Sequence, residues 1–505
     1  MGEHDFVVVA NRLPVDRVEA ADGAVQWRRS PGGLVAALEP VMQRAGGAWV
    51  GWSGSPDQAP EPFQADGMHL VAVPLSAEEI EGFYEGFSNA TLWPLYHDVI
   101  APPQFHRHWW NTYVEVNRRF ATVVAAQAAP GATVWVHDYQ LQLVPALLRE
   151  HRPDLLIGFF NHIPFPGYEI YAQLPWRRQV VEGLLGADLL GFQRPGDVTN
   201  FLRACRRAAG VQTRGAVARV PEPGTPLRGQ GDGAQQSPGR GREAPGERNA
   251  HVAAFPISID SAGFEALARR EDVQTRARQI RAELGDPEVV LLGVDRLDYT
   301  KGLLHRLHAY QELLDDGELR PPQAVLVQVA SPSRERVSQY QVLREEVEGI
   351  VGRINGAHAT LGQPAVHYLH HSYPREEMAA LYLAADVMLV TSLRDGMNLV
   401  AKEYVACRQD ERGALVLSEF TGAADELGSA FLVNPHDIEG MKEAILRAAR
   451  VSPREAQRRM RSLRRRVREH DVDRWAAAFL DALQKTRAAA RARLPTAADV
   501  VTDRG

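Results

Sequence analysis

Runs that are apolar at nearly every position alternate along this chain with longer stretches of helical period. Seven such runs stand out, at residues 6–10, 134–137, 157–160, 289–294, 324–330, 386–391 and 414–417. None shows the in–out alternation of a sheet with one wet face. Strands buried on both faces read this way, so the pattern predicts parallel sheets covered by helices on both sides. Strand, loop and helix in repetition give an α/β protein. A chain of 505 residues is too long for one core, and a fresh strand–helix series begins at Val289. The simplest division is two Rossmann-like halves that meet near residue 257 and face each other across a cleft.

Two segments depart from this rhythm. Residues 214–250 are dominated by Gly, Pro, Gln and Arg and hold few apolar side chains. Such a stretch buries too little surface to offset its ordering entropy, so a disordered surface insertion is expected there. Residues 452–485 form a basic amphipathic helical region, read as a solvated helix face. The expected domains are 1–257, 258–472, a helix over 473–490 that packs back on the first domain, and a flexible tail over 491–505.

Composition narrows the function. The formal net charge is −6, whereas a protein that neutralises nucleic-acid phosphates carries a basic surplus, so no nucleic-acid partner is expected. Cys205 and Cys407 are the only cysteines and form no CxxC pair, which suits a reducing compartment. The first apolar run is far shorter than the roughly 20 residues a membrane span needs, and the start is not that of a signal peptide. The cytoplasm is the expected location, with no membrane contact.

Candidate chemistry sits at strand ends. The strand over 6–10 leads to Arg12, and a guanidinium there is placed to hold a phosphate bidentately. Gly32 and Gly33 open a helix and allow close backbone approach to an anion, although a glycine pair is more often a plain turn. The strand over 289–294 runs into the loop RLDYTKG beginning at Arg296. Arg296 and Lys301 either converge on a diphosphate or pair with Asp295 and Asp298. After the strand over 386–391 comes LRDGMNLVAKE, beginning at Leu393. Asp395 in that loop can take sugar hydroxyls. Glu403, early in the following helix, can take ribose hydroxyls or favour the helix dipole.

These runs, with WVHDYQL from Trp135, FFNHIPFP from Phe159 and GFSNATLWP from Gly86, closely resemble the trehalose-6-phosphate synthase family, retaining glycosyltransferase family 20. The resemblance extends from about residue 6 to about residue 482 and implies the GT-B fold. It implies that Arg12, Tyr84, Asp138 and Arg334 hold glucose 6-phosphate. Gly32, Gly33, Arg296, Lys301, Tyr373 and the run Leu399, Val400, Ala401, Lys402 and Glu403 match the nucleotide-sugar site. Asp395 and His162 match residues that touch the transferred glucose. Trp93 and Ile163 match positions tied to selection of the α anomer. His162, Arg296, Lys301 and Asp395 would carry the catalysis. Family members often form homo-oligomers.

The implied reaction moves glucose from a nucleotide-glucose, UDP-glucose by default, to glucose 6-phosphate. Retention by double displacement would need a carboxylate nucleophile, and no residue can be assigned to that role. The family implies same-face attack, with the departing phosphate accepting the acceptor's proton. No metal or organic cofactor is expected; the nucleotide-glucose is a co-substrate. Asp471 and Asp473 form an Asp-x-Asp pair but lie away from any strand end. The groups His106 with His108, and His367 with His370 and His371, read as structural. Three other readings compete: a transferase or pseudo-glycosyltransferase with other substrates, a non-catalytic nucleotide-sugar sensor, and a glycogen-phosphorylase-like enzyme. The intact set of glucose-contacting residues disfavours the first, the retained Arg12, Arg296, Lys301, Asp395 and Glu403 disfavour the second, and the last lacks any pyridoxal-phosphate motif.

Overall fold

The structure is a computed structural model that describes residues 2–19, 25–30, 35, 38, 39, 41, 42, 46–221 and 247–491. The first 254 residues contribute strands β1 (His4–Arg12), β2 (Val15–Glu19), β3 (Val25–Arg29), β4 (Ala48–Trp52), β5 (Phe63–Ala65), β6 (Met68–Ala72), β7 (Ala128–His137), β8 (Leu156–Phe160), β9 (Leu189–Phe192), β10 (Gln212–Arg214), β11 (Val217–Pro221) and β12 (Glu247–Ala254). Ten of them form one sheet in the order β10-β11-β12-β9-β8-β7-β1-β4-β6-β5, while β2 and β3 make a separate hairpin. The run from β12 to β6 is parallel throughout. Val7, Val8 and Val9 of β1 are all fully buried, so both faces of the sheet are covered.

The second domain holds β13 (Val289–Arg296), β14 (Ala324–Ser331), β15 (Val366–Leu369), β16 (Val387–Val390), β17 (Ala414–Ser418) and β18 (Phe431–Val433). They form a parallel sheet in the order β15-β14-β13-β16-β17-β18. All seven apolar runs are strands, and the α/β architecture with parallel sheets is as the sequence predicts.

The disorder expected over 214–250 is corrected at both ends. Val217–Pro221 pairs antiparallel with β12, with Pro221 opposite Glu247. Within this strand Ala218 and Val220 point inward while Arg219 is exposed. That short alternation is diluted when composition is averaged over the whole segment. Residues 222–246 lie outside the described residues.

The basic segment becomes the helix Pro453–Glu469. Its arginines are largely paired within the chain: Arg464 and Arg468 converge on Glu265, and Arg461 grips Glu411. The next helix, Val472–Arg491, returns to the first domain. Phe479 stacks on Trp135 at 4.6 Å, and Trp475 lies 5.2 Å from the same indole. Gly158 of β8 and Gly191 of β9 make room for it; a Cβ at either would meet the Phe479 ring at 2.8 Å. Burying that ring contributes about 2–3 kcal/mol.

Candidate active site

Both sheets reverse their strand order at one point, between β1 and β7 in the first domain and between β13 and β16 in the second. A crevice opens at such a point beyond the carboxyl ends of the strands. Arg12 ends β1, and Asp138 and His162 follow β7 and β8. Arg296 ends β13, Arg334 follows β14, and Asp395 follows β16. The two crevices face each other and share one cavity of about 510 Å³. Its lining includes Arg12, Tyr84, Trp93, Asp138, His162, Ile163, Arg296, Lys301, Arg334 and Asp395.

On the first domain's side, Arg12 is half exposed, lies 5.0 Å over the Trp52 ring and pairs with Asp16 at 2.8 Å. Tyr84 and Trp93 come from a wide, π-wound helix, Ile80–Leu92, and the turn that continues it. Asp138 has φ +76 and accepts the backbone N–H of His162 at 3.1 Å. Burial pushes its carboxyl up to about 6, against the pull of backbone N–H groups and of Arg334 and Arg296. His162 shares a proton position with His137 across 3.0 Å, and burial lowers its imidazole to about 3. It is therefore neutral at working pH.

The second domain supplies most of the positive charge. Arg334 is buried, with φ +50, and donates to Asp298 at 2.9 Å and to the Tyr139 hydroxyl across the cleft at 3.2 Å. It also bonds the Tyr340 hydroxyl. Arg296 is half exposed, 5.3 Å over the Trp93 ring and 3.7 Å from Asp298. Lys301 pairs with Asp395 at 2.6 Å. Burial works to raise both aspartates, yet neighbouring cations prevail: Asp298 is held down to about 2, and Asp395 below its usual value. Gly396 closes against the other domain, where a Cβ would meet the His162 carbonyl at 2.5 Å.

Among the described residues, the others expected at the site are not in the lining of this cavity. Gly32 and Gly33 lie outside the described residues. Tyr373 follows β15, and its ring lies 4.2 Å from that of His371. Leu399, Val400 and Ala401 open the helix Leu399–Cys407, which Asn398 caps at the Ala401 N–H. Glu403 accepts from the Tyr382 hydroxyl at 2.8 Å, and burial raises its carboxyl. The Lys402 ammonium is buried on the Ile257 carbonyl and Glu426. Only the Lys402 backbone remains for a ligand. Asp471 caps its own helix at the Arg474 N–H. Among the described residues, no group of three or more His, Cys, Asp or Glu is arranged to hold a metal.

Sequence reading missed His97, His137, Tyr139 and Tyr340, and treated Asp298 only as a pairing partner for Arg296 or Lys301. Asp298 proves fully buried and is the anion on which Arg334, Arg296 and Tyr340 converge. The available signal was its neighbour Leu297, an apolar residue inside a charged loop.

Two doubly wound domains that share a cation-lined cavity at their switch points define a GT-B glycosyltransferase. The chain belongs to glycosyltransferase family 20, whose pattern it matches over residues 4–485. It is 57% identical over 490 residues to the trehalose-6-phosphate synthase of Mycobacterium sp. (strain KMS), covering 97% of each chain. Among solved structures, it is similar to the α,α-trehalose-phosphate synthase (UDP-forming) from Burkholderia xenovorans in complex with glucose-6-phosphate. That likeness has a TM-score of 0.82 at 34% identity and covers 95% of this chain and 100% of the other. An E. coli structure bound with UDP-2-fluoro glucose matches with a TM-score of 0.81 at 32% identity, covering 95% of this chain and 98% of the other.

Proposed function

We propose that this glycosyltransferase joins the glucose of UDP-glucose to glucose 6-phosphate with retention, giving trehalose 6-phosphate and UDP. The observation that carries the reading is the single cavity in which Arg12, Asp138 and Arg334 meet Arg296, Lys301 and Asp395. The first three suit a sugar phosphate; the second three suit a sugar joined to a diphosphate. Solved relatives bound to glucose-6-phosphate and to UDP-2-fluoro glucose support the two substrates.

Arg12 and Arg334 grip the acceptor's phosphate, with Tyr84 and Asp138 positioning its sugar. Arg296 and Lys301 stabilise the charge that grows on the leaving diphosphate. Holding both substrates in one cleft removes much of the entropic barrier. Asp16 is engaged by Arg12 and Asp395 by Lys301. With Asp138 set at the acceptor's sugar, the reading is same-face attack, the proton passing to the departing phosphate. Trp93 and Ile163 wall the sugar pair and would fix the α anomer. Leu399 to Glu403 would hold the nucleotide through the helix's first N–H groups and the Glu403 carboxylate, with Gly32, Gly33 and Tyr373 completing that side.

Both substrates are cytosolic metabolites, so we place the enzyme in the cytoplasm. Among the described residues, no helix is long and apolar enough to cross a membrane. The test supplies glucose 6-phosphate with UDP-, GDP- or ADP-glucose in turn, follows nucleoside diphosphate release, and identifies the disaccharide by NMR. Preference for GDP- or ADP-glucose would overturn the donor; no disaccharide phosphate from any of them would overturn the reading.

A further inference from the structure

We propose that His97 is a donor-sugar residue, its Nε2 accepting a hydrogen bond from one hydroxyl of the transferred glucose. His97 follows the helix Trp93–Tyr96. It is 1% exposed, and what it shows faces the shared cavity beside Lys301 and Asp395. Its ring lies 4.1 Å from that of Trp93, and its Nδ1 is 2.8 Å from the Trp93 carbonyl oxygen. A carbonyl only accepts, so Nδ1 carries the proton. A neutral imidazole then keeps one lone pair, at Nε2. Burial lowers the group to about 3 despite its Trp93 bond and the nearby Asp298 and Asp395, with Lys301 adding to the fall. The ring is neutral when the enzyme works.

Asp395 already takes Lys301 at 2.6 Å, Asn398 at 3.2 Å and Ser392 at 3.4 Å on one oxygen. Its other oxygen faces the Met397 N–H at 3.4 Å. A glucose hydroxyl lodged here needs an acceptor, and Nε2 of His97 supplies one beside the Asp395 carboxylate. The backbone is also strained to present this ring. Asp98 and Val99 both have positive φ, +57 and +58, and Val99 is β-branched, a conformation that costs of order 1–3 kcal/mol. The strained turn is held by an ion pair across the domains, Asp98 with Arg394 at 3.1 Å, one residue before Asp395.

The inference rests on glucose transfer as the reaction. The experiment compares wild type, His97→Asn and His97→Gln with UDP-glucose and its 2-, 3-, 4- and 6-deoxy analogues. Asn carries its amide where the ring carries Nδ1 and keeps the Trp93 bond; Gln carries its amide where the ring carries Nε2. For wild type, one analogue should lose about tenfold or more in kcat/KM. His97→Asn should lose a similar factor on UDP-glucose and show no further loss on that analogue. His97→Gln should recover part of the discrimination. Each variant is scored against its own rate on UDP-glucose, so a general loss of stability does not imitate the result. Full discrimination retained in His97→Asn would overturn the role of His97. Wild type inactive on UDP-glucose itself would instead overturn the donor on which the inference rests.

Discussion

The Arg334 guanidinium of the second domain lies 3.7 Å above the ring of Trp93 in the first, so a buried cation of one half is roofed by an aromatic of the other. Its charge is met from the opposite side by Asp298, which is buried with it. Truncation therefore leaves a buried carboxylate with weakened support, a loss of about 3 kcal/mol or more. Arg334→Ala should lower the melting temperature and raise the KM for glucose 6-phosphate together. Arg334→Lys should rescue neither, because a point charge cannot both stack and fork. A stable, active Lys variant would refute this.

Arg296 is the contrasting case. It is 46% exposed and its ion pair with Asp298 is long, 3.7 Å. Arg296→Ala should change stability by no more than about 0.5 kcal/mol. Turnover should fall about a hundredfold, because charge is lost at the leaving diphosphate. Near-normal kcat would remove Arg296 from the donor site.

Asp138 gives a pH signature. Burial raises its carboxyl to about 6, above the unfolded value. The folded state thus binds this proton more tightly than the unfolded chain does. Its contribution to stability is full below about pH 4 and is lost as pH rises to 6, a cost of about 3 kcal/mol once ionised. Asp138→Asn should raise the melting temperature near pH 8 and leave it unchanged near pH 4. Wild-type kcat/KM should climb through an apparent pKa near 6, and the Asn variant should lose that limb along with most of its activity. A flat wild-type profile would count against the ionised carboxylate as the acceptor's partner.

Because Pro221 pairs with Glu247, residues 222–246 join the two strands of a hairpin. Replacing them with Asn-Gly, which suits a tight hairpin turn, should leave folding and activity largely intact. Loss of either would make that segment part of the working enzyme.

Lys402→Met tests whether this lysine serves structure or substrate. Breaking its buried pair with Glu426 should cost about 3–5 kcal/mol, read in thermal unfolding. The KM for the donor should shift by no more than about twofold. A large rise in donor KM at unchanged stability would return the ammonium to the substrate.

Much of the fold was legible because its central strands are buried on both faces and announce themselves as unbroken apolar runs. The strands left unread are short, peripheral or interrupted: β15 mixes His367 and Tyr368 into four residues, β18 has three, and β4 is broken by Gly51 before Trp52. The residues that converge on the cavity were legible where long motifs marked strand ends. His97 was not, because a histidine closing a helical turn resembles any other until the fold sets Lys301 and Asp395 beside it. The Lys402 ammonium was illegible for the converse reason: a motif position fixes the backbone, while the side chain follows the nearest buried carboxylate.

The return of the last helix to the first domain means that the chain passes between the halves twice, near residues 255–260 and near residue 472. These passages are bound side by side, the Val472 N–H donating to the Ile259 carbonyl at 3.0 Å. Two crossings bonded together brace the halves more firmly than either would alone. The register that sets Arg334 over Trp93 is therefore supported at the crossing as well as at the residues lining the cavity.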